Sequence, residues 1–156
     1  MFTLLKPTER AINQVFGANP HYYMQFGLPG HEGVDFACPW DAANGGDPIH
    51  ACAEGVVSEA GNFGTYGLRV ILKHTIVDDK GTSWSVQTIY AHLSRLWVRK
   101  GQSVFAGQAI GLSGNSGKSG GPHLHLTVKV EGMVTGGYPA GIVDPEPFFV
   151  KAESRE

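Results

Sequence analysis

The segment His123-Leu124-His125 carries two imidazoles two residues apart. In a strand, alternate side chains share a face, so these two rings would stand side by side, roughly 6.6 Å apart along the chain. Both could then reach one small site. A pair of solvent-facing histidines on a half-buried strand is the plainer alternative. A second segment, Gly30-His31-Glu32-Gly33-Val34-Asp35, offers a histidine and an aspartate, both good zinc ligands. Positions 31 and 35 of a straight strand lie roughly 13 Å apart, too far to share one ion. The backbone must bend there, and Pro29, Gly30 and Gly33 give it the means. A third segment, Tyr90-Ala91-His92-Leu93-Ser94, adds a histidine at the end of a strand.

Taken together, the three segments supply His, Asp and His as ligands and leave two histidines over. Catalytic zinc sites use three protein ligands and keep the fourth position for water, whose pKa falls towards about 7. A spare imidazole near such a site takes the water's proton or hydrogen-bonds the developing oxyanion at neutral pH. The chemistry implied is hydrolysis of an amide or a related acyl bond. The spacing shows only that His123 and His125 both reach the site; it does not say which one binds the metal.

Short strands must position these groups. Val56-Val57, Leu68 to His74, Ser83 to Ala91 and His123 to Val130 are rich in β-branched or aromatic residues and bounded by turn residues. Leu124, Leu126, Val128 and Val130 make one apolar face of the last of these. Between Val98 and Gly114 the glycines fall at turn positions between single apolar residues, as in a tightly wound β-sandwich. Only Thr8 to Phe16 offers a helical turn or two, started by Thr8 with Glu9 in the first turn. An N-terminal arm is expected over 1–28, a core over 29–150 and a frayed polar tail from Lys151 to Glu156.

The composition fits one all-β domain. The 156 residues include 42% hydrophobic and 17% charged side chains, a globular balance, with 22 glycines and 9 prolines supplying turns. A chain of this size buries roughly 70% of its unfolded surface in a single core. The formal charge of −2 argues against a general nucleic-acid binder. No stretch approaches the roughly 20 apolar residues of a membrane helix. Met1 to Arg10 does not read as a signal peptide, which leaves a cytoplasmic protein, release by another route, or a piece of a larger chain. Cys38 and Cys52 lack metal or redox spacing and are expected to be buried free thiols, with one disulfide as the alternative.

His-x-Gly-x-Asp, then Tyr-x-His-Leu-Ser, then Gly-Pro-His-Leu-His resembles the lysostaphin-type (LytM-domain) zinc metallopeptidases. The similarity extends to the Gly-Gln turns at Gly101 and Gly107 and to the closing Val143-Asp144-Pro145-Glu146-Pro147-Phe148, and spans roughly Phe16 to Phe149. The resemblance implies a compact antiparallel β-sheet or sandwich of the duplicated-hybrid-motif type, with a groove over the sheet walled by long loops. It implies one zinc per chain on His31, Asp35 and His125, with His92 and His123 as the two catalytic histidines. The substrate implied is the stem peptide or cross-bridge of bacterial peptidoglycan, cut by a monomer. The segment from Gly17 to Gly33, with Tyr22-Tyr23 and Phe26, is similar to that of phage or prophage members, for which host lysis or carriage in a virion replaces secretion.

Other features are set aside. His31-Glu32-Gly33-Val34-Asp35 nearly matches the His-Glu-x-x-His of helical zinc proteases, but Pro29, Gly30, Gly33 and Pro39 oppose a helix, so Glu32 reads as a rim residue. Gly111 to Ser119 brings a phosphate loop to mind, yet its spacing is wrong and a strand follows; it reads as a flexible loop feeding the His123 strand into the groove. A cupin-type metal barrel would place its glutamate closer to the histidine pair than Glu131. His21, His50 and His74 read as ordinary loop or strand-end residues. Tyr22, Tyr23, Tyr66 and Tyr138 are candidates for the groove walls. A non-catalytic wall-binding or regulatory relative is the main alternative function, and it predicts missing ligands; all five positions are filled.

Overall fold

The computed structural model describes residues 1–150, and the expected frayed tail lies outside them. In chain order the strands are β1 (Ile12–Gln14), β2 (Val34–Phe36), β3 (Trp40–Asp41), β4 (Gly45–Gly46), β5 (Pro48–His50), β6 (Gly55–Asn62), β7 (Leu68–Val77), β8 (Ser83–Leu96), β9 (Ser103–Val104), β10 (Ala109–Ser113), β11 (Leu124–Val130) and β12 (Ile142–Val143). The main sheet runs β1-β2-β11-β8-β7-β6-β9, with β10 joined to β5 and β8 and β12 joined to β11. Every pairing in it is antiparallel. The all-β expectation holds. Among the described residues no helix is long and apolar enough to cross a membrane.

Burial follows the strand alternation. Leu124, Leu126, Val128 and Val130 are buried together with Val34, Phe36, Val70, Leu72 and Tyr90. The N-terminal residues contribute to the same core: Phe2 and Leu4 are buried, and Leu4 bridges Phe149. Cys38 and Cys52 are free and buried; burial pushes the Cys52 thiol up to about 12.

The helix expected over Thr8 to Phe16 is absent, because a sheet edge competes for the same backbone. Ile12 and Gln14 pair with Phe36 and Asp35, and the Ala37 amide donates to the Ala11 carbonyl. Thr8 closes only a local turn, its Oγ1 accepting from the Arg10 amide at 3.2 Å. The one α-helical turn among the described residues, α1 (Pro20–Tyr23), lies later and continues into a 3-10 turn over Met24–Phe26. The Gly111 to Ser119 segment is also only partly a loop, since its first three residues complete β10.

Candidate metal centre and groove

The sheet register brings the three segments together. On β11, His125 lies directly across from Asp35 of β2 on one side and from Ala91 of β8, the neighbour of His92, on the other. His31 precedes β2, where the chain turns back so that its ring meets Asp35 and not the strand axis. Gly30 and Gly33 make this possible by close approach rather than by unusual torsions, since neither has a positive φ. A Cβ on Gly30 would run into the Gly17 carbonyl, and one on Gly33 into the Leu126 carbonyl oxygen and the His125 ring. The turn after β1 completes the corner: the Gly17 amide donates to the His31 carbonyl at 2.8 Å.

The donor atoms converge. His31 Nε2 and His125 Nδ1 are 3.1 Å apart, and they lie 3.3 and 3.0 Å from Asp35 Oδ1. Donors around a tetrahedral zinc with bonds of about 2.0–2.1 Å are separated by about 3.3 Å, so the triangle has the size such an ion requires. The tautomers fit as well. His31 donates its Nδ1–H to the Val15 carbonyl at 3.2 Å, and His125 donates its Nε2–H to Thr127 Oγ1 at 2.7 Å. Each ring therefore turns a lone pair towards the other and towards a carboxylate. Three buried acceptors facing one another without a proton call for a cation.

His92 and His123 stand beside this triangle. Opposite Leu68 to Val70 of β7, strand β8 spends one extra residue between Tyr90 and Leu93, which is a β-bulge. His92 sits in it with φ 61°, one of two non-glycine residues with positive φ among those described. Such backbone is costly and re-aims a side chain that plain alternation would send elsewhere. Its Nδ1–H donates to the Ser116 carbonyl at 2.8 Å, which leaves Nε2 for the groove. Burial first, then the neighbouring His123 and His125, lower His92 to about 4. His123 enters one residue ahead of β11 through an isolated bridge to Gly114, not within the regular strand. It donates Nδ1–H to the Gly121 carbonyl at 2.8 Å, and its Nε2 is 3.7 Å from Asp35 Oδ1. The His92 and His123 rings are 4.8 Å apart.

A groove of about 720 Å³ lies over these residues. Tyr22, Tyr23 and Phe26 from the α1 segment line it, with Thr65 and Tyr66 from the β6–β7 turn and Lys118 to Gly120 from the loop before β11. Tyr138 is not among the lining: its ring packs on Phe16 and its hydroxyl donates to the His31 carbonyl. His74 is buried in the core, bonded to the Glu54 carbonyl and Thr88, while His50 donates to or accepts from nothing in the groove and contacts the Gly107 carbonyl. Thr127 and the Val15, Ser116 and Gly121 carbonyls were not evident from sequence. Thr127 alone left a signal, since it stands two residues from His125 on the same strand face.

A metal triangle of this composition, set in a groove over an antiparallel sheet, defines a LytM-type metallopeptidase domain. Residues 29–135 match the model of Peptidase family M23, and the chain belongs to that family. It is 39% identical over 112 residues to peptidoglycan DD-endopeptidase ShyA of Vibrio cholerae, covering 72% of this chain and 23% of that protein. The chain spans about a quarter of the length of the curated relatives it matches. Its fold is similar to the catalytic domain of lysostaphin from Staphylococcus simulans, with TM-score 0.62, 32% identity, and coverage of 89% of this chain and 91% of that one. A zinc containing peptidase from Vibrio cholerae matches with TM-score 0.63 and 31% identity, over 82% of this chain and 36% of that one.

Proposed function

We propose that the domain is a zinc endopeptidase that hydrolyses peptide bonds in peptidoglycan, with His31, Asp35 and His125 as the metal ligands and His92 and His123 as the catalytic histidines. The observation that carries this reading is the set of ring contacts: each of the four histidines sets one nitrogen against an oxygen outside the cluster and turns the other inward. Relatives named as peptidoglycan DD-endopeptidases support the substrate class. A zinc ion held by His31 Nε2, Asp35 Oδ1 and His125 Nδ1 would polarise the scissile carbonyl and lower the pKa of a water.

The chain's own residues supply the proton traffic. His123 Nε2 and His92 Nε2 are free acceptors at the floor of the groove. Between them they take a proton from the attacking water and, once protonated, return it to the leaving amine. His92 remains neutral, and therefore an acceptor, down to about pH 4 because of its burial. The aromatic segment Tyr22 to Phe26 walls the groove and keeps bulk water from one side of the peptide.

The test is hydrolysis of purified peptidoglycan followed by chromatography of the released peptides. The wild-type protein should release new amino termini, and a chelator should abolish this. His123→Ala should keep its zinc and lose about 10²–10⁴-fold in rate. Tight zinc binding with no cleavage of peptidoglycan from any source would favour the wall-binding alternative.

A further inference from the structure

The groove contains two charged side chains outside the histidine–aspartate cluster, Glu32 and Lys118. Lys118 has a neighbour, its Nζ lying 5.2 Å from the centre of the Phe26 ring. Glu32 is different. Its side chain is 19% exposed, and its only ion-pair contact among the described residues is His125 Nε2, 3.7 Å from Oε1. That nitrogen has one hydrogen, and Thr127 Oγ1 takes it at 2.7 Å. Glu32 is therefore not needed to fix the His125 ring. Its other oxygen, Oε2, is buried and has no hydrogen-bond partner. A carboxylate so withdrawn from water, with no Lys or Arg ion-paired to it among the described residues, is costly to keep until a cation or donor arrives.

The surroundings favour an organic cation. Tyr23 lies on the groove side of His31, with ring centres 5.3 Å apart, and Tyr138 packs against the same segment. The charge of Glu32 reaches both phenols, adding to the burial that pushes Tyr23 up to about 12. A carboxylate in a groove that Tyr23 also lines suits an ammonium group, which gains from the charge and from a ring face together.

We infer that Glu32 forms a subsite for a primary ammonium group of the peptide substrate, carried close to the scissile bond. The inference rests on the peptidase reading for its substrate class but not for its binding chemistry. The ammonium has two sources, the peptide's α-amine and the side-chain amine of a diamino acid. Either one leaves Glu32 paired in the complex, and a peptide lacking it leaves the carboxylate desolvated and alone.

Calorimetric binding to the His123→Ala protein separates these cases without relying on turnover. The probes are three forms of one lysine-containing, D-alanine-ending peptide: both amines free, the α-amine acetylated, and the side-chain amine acetylated. Acetylation of one amine should weaken binding about 10- to 100-fold, the range of a charge-assisted hydrogen bond, and identifies the source. Glu32→Gln should lose the same factor with the free peptide and become indifferent to acetylation. Glu32→Lys should reverse the preference and bind the acetylated form better. Zinc content of Glu32→Gln should equal that of the parent. Equal binding of all three peptides would overturn the subsite, as would a Glu32→Gln protein that keeps the full preference for the free amine. Loss of zinc from Glu32→Gln with that preference intact would show that Glu32 serves His125 instead. A wild-type protein that cleaves neither these peptides nor purified peptidoglycan, while the His123→Ala protein binds the free amine selectively, would fail the peptidase reading and sustain the subsite.

Discussion

Replacing Thr127 by valine tests whether a hydroxyl outside the metal triangle sets the state of the metal ligand. Valine keeps the branched shape, so the buried strand face is preserved, and only the oxygen that accepts the His125 Nε2–H at 2.7 Å is removed. Thr127 and His125 are both buried, so water has no ready access to the orphaned donor. An unsatisfied buried N–H costs about 1–3 kcal/mol. The His125 ring can avoid this cost by moving its proton to Nδ1, the atom needed for the metal, so the penalty appears chiefly in zinc affinity. Removing such a partner lowers metal affinity about 10–100-fold in other sites. Competition against a chromophoric chelator should show a loss of this size. At a fixed zinc concentration that saturates the wild type, the variant should also melt lower by about 4–8 °C, since about 2 kcal/mol of linkage is lost at about 2–4 °C per kcal/mol. With zinc removed, the two proteins should differ much less. Zinc affinity within twofold of the wild type would refute the argument that Thr127 fixes the tautomer.

Two further outcomes follow from buried polar groups. Burial lowers His92 to about 4, below the ordinary value near 6.5, so between these pH values the unfolded chain binds the extra proton. Stability of the metal-free protein should be fullest above about pH 6.5 and fall as the pH drops towards 4, by up to about 3 kcal/mol from this residue; His74, also lowered by burial, acts in the same direction. Urea midpoints across this range should fall less steeply in His92→Asn, an exchange that tolerates the positive φ, and identical slopes would contradict the assignment. Tyr90→Phe removes a fully buried hydroxyl that accepts from the Cys52 amide at 2.9 Å and lies 2.8 Å from Thr88 Oγ1, itself bonded to His74. It should cost about 1–3 kcal/mol in chemical denaturation while leaving zinc content unchanged.

The grouping of the site residues was legible because it depends on side-chain type and spacing. His123 and His125 fall on one strand face, and His31 and Asp35 sit among residues that let the chain turn. What could not be read is what the backbone decides. The Val15, Ser116 and Gly121 carbonyls orient three histidines, and a carbonyl carries no sequence signature. Nothing in Ala91-His92-Leu93 announces a bulge, since the residue with positive φ is a histidine and not a glycine. The sequence suggests Gly30 and Gly33 as points of bending, whereas in the structure they are small where carbonyls and the His125 ring pass close by. The misread helix at Thr8 to Phe16 shows the same limit. Local propensity favoured a turn of helix, and the open edge of β2 offered its backbone more hydrogen bonds.

The proposed function divides five residues into three ligands and two proton carriers. Zinc content of His31→Ala, Asp35→Ala, His125→Ala, His92→Ala and His123→Ala, each measured after dialysis against the same trace of zinc, tests it directly. Zinc should be lost from the first three and retained near one per chain in the last two. Retention in His125→Ala, or loss from His123→Ala equal to that from His125→Ala, would contradict the division.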